Sequence, residues 1–151
     1  DEASLREIPI KKTPKGKPYL DTKKNFHFSL SHSGDLIVLA TADAPIGVDV
    51  EKVDRKIKPS SFKRFLHPHE IRMLDDAECP KELFFKIWTV REAFSKEEGE
   101  GLSILDKDFY VDYENDHITY GGRKVFFRSM EHGGYFISVC CEKPAGLSFN
   151  T

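Results

Sequence analysis

Two carboxylates stand two residues apart in Gly47-Val48-Asp49-Val50-Glu51. In a strand, side chains i and i+2 share a face. Asp49 and Glu51 would then project together, about 7 Å apart at the ~3.4 Å rise per residue, with Val48 and Val50 facing a core. Like charges aimed this way repel unless a cation lies between them. A small set of hard oxygen ligands suits Mg²⁺, which keeps some waters and binds substrate phosphates. The same pattern also fits a plain amphipathic strand with its acids in solvent. Farther on, Trp88, Glu92 and Lys96 follow at i, i+4 and i+8, one stripe of a helix. That stripe offers a third carboxylate and an ammonium within reach of a phosphate. It is equally an ordinary Glu-to-Lys pair worth ~0.2–0.5 kcal/mol. Leu30-Ser31-His32-Ser33 ends a strand pattern, and its polar side chains either line a ligand or leave a surface histidine in a turn. The chain holds no GxxxxGK[ST] loop, which excludes a P-loop nucleotidase.

These groups need elements to hold them. Phe26, Phe28 and Leu30 alternate with His27, Ser29 and Ser31, a period-two strand pattern. Ser33-Gly34-Asp35 turns the chain into apolar segments at Leu36–Thr41 and Ile46–Val50, and the three strands read as an antiparallel meander. Short helices are expected from Pro59 and from Pro68, and a long one over Pro80–Glu98, opened by proline and closed by Gly99. Leu83, Phe84, Ile87, Trp88, Arg91, Phe94 and Ser95 share one face of it. Strands follow near 109–113, 117–120, 124–129 and 135–142, joined by Gly121-Gly122 and Gly133-Gly134. Residues 1–25, broken by Pro9, Pro14, Gly16 and Pro18, read as irregular. The expected class is α+β: a mostly antiparallel sheet packed on one long helix and shorter helices.

Composition narrows the partners. The chain has 151 residues, 39% hydrophobic and 32% charged, which excludes a disordered tail. No apolar run approaches the ~20 residues that span a bilayer, so no membrane is expected. A formal net charge of −2 argues against coating nucleic acid. Cys79, Cys140 and Cys141 cannot build a disulfide framework, and zinc-type spacings are absent, so a cytoplasmic location is expected. Between Arg6 and Lys24, seven bases and two acids give a local +5. This is a solvated arm or an anion-binding edge.

Taken in order, Gly16-Lys17-Pro18, FSLSHSGD at 28–35, IGVDVE at 46–51 and WTVREAFSKEEGEGLS at 88–103 resemble the 4′-phosphopantetheinyl transferases, specifically the larger two-lobe, surfactin-synthetase-activating type. The resemblance runs from about Lys15 to Cys141. It implies transfer of the 4′-phosphopantetheine arm of coenzyme A to a serine of an acyl or peptidyl carrier protein, releasing adenosine 3′,5′-bisphosphate. It also implies Mg²⁺ held by Asp49, Glu51 and Glu92, with Glu92, directly or through a metal-bound water, accepting the serine proton. Lys96 would stabilise the pyrophosphate, and Lys17, Ser31, His32, Arg91 and Lys96 would bind coenzyme A. Arg91 stands where the family usually has lysine. Members of that type carry a preceding half-domain, of which only the end is expected here, so residues 1–25 are expected to be the tail of an N-terminal lobe and 26–151 the C-terminal lobe. The face left by that lobe would expose apolar side chains and invite self-association. A Mg²⁺-dependent coenzyme A phosphodiesterase, a non-catalytic module binding coenzyme A or a carrier protein, and an α+β domain with coincidental acids are the alternatives. Carrier-dependent release of the bisphosphate separates transfer from hydrolysis and from binding alone.

Overall fold

The long apolar repeat after Pro80 forms the helix around which the rest is built. In the computed structural model, which describes residues 8–22, 24–53, 56–106 and 108–143, helix α2 spans Pro80–Glu98. Gly99 ends it in the left-handed region, φ 72°, with its N–H donating to the Ser95 carbonyl. A side chain rarely tolerates that backbone, and glycine takes it without steric cost. A shorter helix, α1 (Pro68–Asp76), precedes it and starts on a capping box in which the His67 N–H donates to Glu70 Oε2 at 2.8 Å. Short 3₁₀ segments cover Pro59–Phe65 and Gly101–Asp106.

Among the described residues, nine strands make three sheets. Strands β1 (Ile10–Lys12) and β2 (Pro18–Leu20) form one hairpin, and β3 (His27–Ser33) and β4 (Leu36–Ala42) a second. Strands β5 (Ile46–Lys52), β6 (Tyr110–Asp112), β7 (His117–Tyr120), β8 (Arg123–His132) and β9 (Tyr135–Cys141) build an antiparallel sheet in the order β5-β9-β8-β7-β6. Helix α2 lies on one face of it, burying Val90, Ala93 and Phe94 among Val111, Ile118, Val125 and Phe127. Trp88 serves as an anchor, its ring 5.1 Å from that of Phe62 and 5.8 Å from that of Phe84. The architecture is α+β, as expected.

Two expectations fail in informative ways. Residues 1–25 are not wholly irregular. Pro14 and Gly16 sit in the turn between β1 and β2, where the Gly16 N–H donates to the Thr13 carbonyl at 2.8 Å and the Lys17 N–H to Thr13 Oγ1 at 3.0 Å. The turn residues set where the strands end. Arg6, Glu7 and Lys23 of the basic run lie outside the described residues. The β3-β4-β5 meander also does not form, because β5 pairs with β9, Val48 opposite Val139 and Val50 opposite Ile137. That exchange aligns Ile46, Val48, Val50, Ile137 and Val139 as one apolar face, which the inner face of the β3–β4 hairpin covers with Leu36, Val38, Ala40 and Ala42. Burial outweighs the local connection.

β3 still lies beside β5, through side chains. Ser29 Oγ accepts the Val48 N–H at 3.0 Å, Ser31 Oγ the Val50 N–H at 3.4 Å, and Ser33 Oγ the Lys52 N–H at 3.0 Å. Both chains advance by two residues per bond, so the strands run parallel, joined by hydroxyls. Leu30, Ile37 and Leu39 point outward from the hairpin and are more than half exposed, at 52%, 71% and 63%.

Candidate active site

Gly47 sets the distance between strand and helix. A Cβ at this position would stand 2.0 Å from the Ala93 carbonyl oxygen and 2.4 Å from the Glu97 nitrogen. Only a residue without a side chain admits this contact. It brings the 47-49-51 face of β5 against α2, so that Asp49 meets the Lys96 stripe. Asp49 is buried. Its Oδ1 accepts from Lys96 Nζ at 2.7 Å and from Ser31 Oγ at 2.9 Å, and Lys96 Nζ also donates to Ser31 Oγ at 2.8 Å. Three residues from β3, β5 and α2 thus close a small polar ring.

Glu51 and Glu92 complete the acidic group. Burial, then the charge of Asp49, raises the Glu51 carboxyl to about 6, against the opposing pull of Lys96 and the Ser33 hydroxyl. The same two causes raise Glu92 to about 7, with Glu51 adding to the repulsion and Lys96 opposing it. Asp49 is raised by burial and held back chiefly by Lys96. Three carboxylates therefore share one field with one ammonium. Asp49 Oδ2 is buried and has no hydrogen-bond partner. An orphaned carboxylate oxygen beside two acids that resist ionisation is a donor set suited to a hard divalent cation. Among the described residues, however, no three His, Cys, Asp or Glu side chains are drawn together tightly enough to ligate one ion. The donor chemistry fits such an ion, while the side chains are not gathered around a point.

A cleft of about 250 Å³ opens beside Lys96, between the β1–β2 turn, β3 and the end of α2. Lys15, Lys17 and Lys96 supply its charge, and Pro18, Phe28 and Leu30 its apolar wall. Lys17 reaches over the end of the helix, its Nζ donating to the Glu97 carbonyl at 2.8 Å and the Ile46 carbonyl at 3.4 Å. Burial pushes its pKa down, with the Glu97 carboxylate opposing. The ammonium thus complements the negative end of the α2 dipole.

The sequence-predicted residues divide accordingly. Lys17 and Lys96 line the cleft, Ser31 and Asp49 join Lys96 in the polar ring, and Glu51 and Glu92 share the field of Asp49 and Lys96. Ser31 enters as a partner of Asp49 and Lys96. His32 is exposed on the opposite face of β3, the face of Leu30, and takes no part in the ring. Arg91 needs a correction. It is 2% exposed, its Nη1 bonds Glu70 Oε2 at 2.9 Å, and its guanidinium lies 4.1 Å from the centre of the Phe109 ring. At ~100° per residue it sits ~140° around the helix from Lys96, and the buried acid of α1 holds it there, away from the phosphates it was expected to bind. Sequence reasoning missed the hydroxyl ladder of Ser29, Ser31 and Ser33, although their two-residue spacing was a usable signal. It also missed Ser95, Gly99 and Gly101 as parts of the cleft wall.

Two family models match the chain. A family model described as 4′-phosphopantetheinyl transferase superfamily matches residues 45–140. A second, described as 4′-phosphopantetheinyl transferase, N-terminal, matches residues 2–44. The two matches meet in the link between β4 and β5. A 4′-phosphopantetheinyl transferase of Bacillus pumilus is 38% identical over 93% of this chain and 64% of its own length. One of Bacillus subtilis is 35% identical over 85% of this chain and 61% of its own length. The chain therefore spans less than two thirds of these relatives. The fold is shared with the holo-[acyl-carrier-protein] synthase of Neisseria meningitidis, with a TM-score of 0.53 at 20% identity over 66% of this chain and 98% of that one. With its GxDxE strand seated on the helix that carries Glu92 and Lys96, and with the superfamily model matching from β5 to β9, the chain belongs to the 4′-phosphopantetheinyl transferase superfamily.

Proposed function

We propose that the chain transfers the 4′-phosphopantetheine arm of coenzyme A to a serine hydroxyl of an acyl or peptidyl carrier protein, with Mg²⁺, releasing adenosine 3′,5′-bisphosphate. The observation that carries this reading is the Asp49–Ser31–Lys96 ring beside Glu51 and Glu92 at the edge of a lysine-lined cleft. The serine oxygen attacks the β-phosphorus of the pyrophosphate, and the bond from that phosphorus to the bridging oxygen breaks. Lys17 and Lys15 draw the nucleotide phosphates into the cleft. Lys96 turns its ammonium to the pyrophosphate and steadies the negative charge on the departing phosphate. Glu92, with a carboxyl raised to about 7, is matched to accept the serine proton near neutral pH. Asp49, Glu51 and Glu92 would hold the cation, which neutralises charge on the non-bridging oxygens when bound. Phe28 and Leu30 exclude water from one side of the cleft.

The exposed outer face of the β3–β4 hairpin supports self-association as part of the same proposal, and light scattering at rising concentration checks it. The central experiment incubates the protein with coenzyme A, Mg²⁺ and an apo-carrier protein. Intact mass of the carrier and release of adenosine 3′,5′-bisphosphate are followed together. The expected result is carrier-dependent release matched by a carrier mass gain of one phosphopantetheine. Release without a carrier identifies a hydrolase and refutes the proposal, as does coenzyme A binding with no release.

A further inference from the structure

A side-chain pair straps the rim of the lysine-lined cleft. Lys15, in the β1–β2 turn, pairs with Glu100, which lies just past the end of α2 and 85 residues away in the chain. We propose that Glu100 is a built-in competitor of the cleft's ligand, holding Lys15 until a phosphate group of that ligand takes its place. The inference rests on the reading of the cleft as a coenzyme A site and adds to it a residue that sets the affinity.

Both ends of the strap are fixed by their main chain. Glu100 stands between Gly99 and Gly101, which line the cleft at φ 72° and 65°. Ser95 Oγ donates to the Gly101 carbonyl at 2.7 Å, and Ser103 Oγ donates to the Glu100 carbonyl at 2.8 Å. These bonds pin the backbone and ask nothing of the Glu100 carboxylate. On the other side, the Thr13 N–H donates to the Lys17 carbonyl at 2.9 Å and the Gly16 N–H to the Thr13 carbonyl at 2.8 Å, so Lys15 projects from a closed turn. The two side chains are 52% and 39% exposed, open to water and to an arriving ion. Exposed pairs of this kind are weak and exchange readily.

The other lysines of the cleft are engaged by groups that belong to the fold. Lys17 Nζ spans the Glu97 and Ile46 carbonyls, and Lys96 Nζ is bound to buried Asp49 and to Ser31. Lys15 differs, because its partner is an exposed carboxylate that a ligand can displace. A phosphate monoester brings nearly two charges and three acceptor oxygens, against one charge on Glu100, so it wins the exchange. Glu100 stands four residues beyond Lys96, about one helical turn or ~5.4 Å farther along. A group at Lys15 is therefore distinct from one at Lys96, and a nucleotide with a diphosphate and a separate phosphate monoester can reach both. A ligand that needs Lys15 binds more weakly by the fraction of chains in which Glu100 holds it. With the worth of an exposed pair, that factor is about two- to sixfold. Glu100 takes Lys15 back as a phosphorylated product departs, which favours release.

The test titrates coenzyme A and dephospho-coenzyme A into the full chain by calorimetry at low salt, for wild type, Glu100→Gln, Lys15→Met and the double variant. Glu100→Gln keeps the side chain's size and the bonds to its carbonyl, so its Tm should stay within about 2 °C of wild type. It should bind coenzyme A about two- to sixfold more tightly, and the gain should fade in about 1 M sodium chloride. Lys15→Met should weaken binding, and in that background Glu100→Gln should gain less than it does in wild type. A gain confined to coenzyme A assigns Lys15 to the phosphate monoester, and a gain shared by dephospho-coenzyme A assigns it to the diphosphate. Equal affinity of wild type and Glu100→Gln, or the same gain with and without Lys15, overturns the inference and leaves the coenzyme A site standing. No saturable binding of either ligand to any of the four proteins overturns both.

Discussion

Gly47→Ala strikes where, among the described glycines, an added Cβ has the least room. The added Cβ would stand 2.0 Å from the Ala93 oxygen, 2.4 Å from the Glu97 nitrogen and 3.0 Å from the Glu97 Cα. Carbon–oxygen contacts of this kind settle at ~3.3–3.6 Å, so α2 must retreat from β5 by about 1.3 Å. Every obstructing atom is main chain, and no rotamer change relieves the clash. Overpacking costs ~1–3 kcal/mol, occasionally more, and a clash of backbone with backbone belongs at about 3 kcal/mol. For a chain of this length, that lowers Tm by ~6–12 °C. The same retreat stretches the 2.7 Å contact between Lys96 and Asp49 beyond hydrogen-bond range. A misplacement of about 1 Å costs on the order of 100-fold in rate. Calorimetry gives the first number, and carrier modification measured well below the variant's Tm gives the second. A Tm within about 2 °C of wild type, with an undiminished rate, would show that the helix is not seated on Gly47 and would refute the positioning argument.

Glu92 gives a pH prediction. Its carboxyl is raised to about 7, so its contribution to stability is full below about pH 4.5 and is lost as pH climbs through 7. Metal-free protein should therefore weaken by on the order of 2–3 kcal/mol between pH 5 and 8, and Glu92→Gln should flatten that slope in urea titrations. Lys96→Met leaves Asp49 buried without its cation. It should cost about 3 kcal/mol at pH 8 and less at pH 5, where Asp49 can protonate, and it should abolish carrier modification. Lys17→Met removes the ammonium from the end of α2, which should cost about 1 kcal/mol and raise the Kd for coenzyme A more than it lowers kcat. Both changes are read by thermal unfolding and calorimetric titration.

Much of this was legible in the residues because periodicity reports burial. The α2 repeat, its proline start and its glycine stop gave the helix bounds, and the two Gly-Gly pairs marked the hairpins of the five-stranded sheet. The Asp49–Glu51 spacing and the Glu92–Lys96 stripe located the polar ring, since each depends only on geometry internal to one element. What local pattern could not convey was pairing between distant segments. β5 leaves β4 for β9 because Ile137 and Val139 complete its apolar face, a fact held some 90 residues away in the chain. Arg91 failed for the same reason. Its helical position was read correctly, but the acid that captures it sits on α1, and nothing near Arg91 in sequence announces Glu70.

The serine hydroxyls between β3 and β5 bear on how the chain avoids unwanted association. A strand at the border of a sheet presents free N–H groups that invite pairing with other chains, and proteins blunt such edges with charge, proline, bulges or a cover. β5 is the border strand of its sheet, and its outward donors at Val48, Val50 and Lys52 are already taken by Ser29, Ser31 and Ser33. The edge is therefore capped by side chains, and the cap tolerates no slippage. A shift of β3 by one residue would present Leu30 and His32 where hydroxyls are needed, leaving the amides bare and a leucine against polar groups. Replacing all three serines with alanine would strip the border while leaving the apolar contacts of the hairpin intact, turning a protected strand into a template for aggregation.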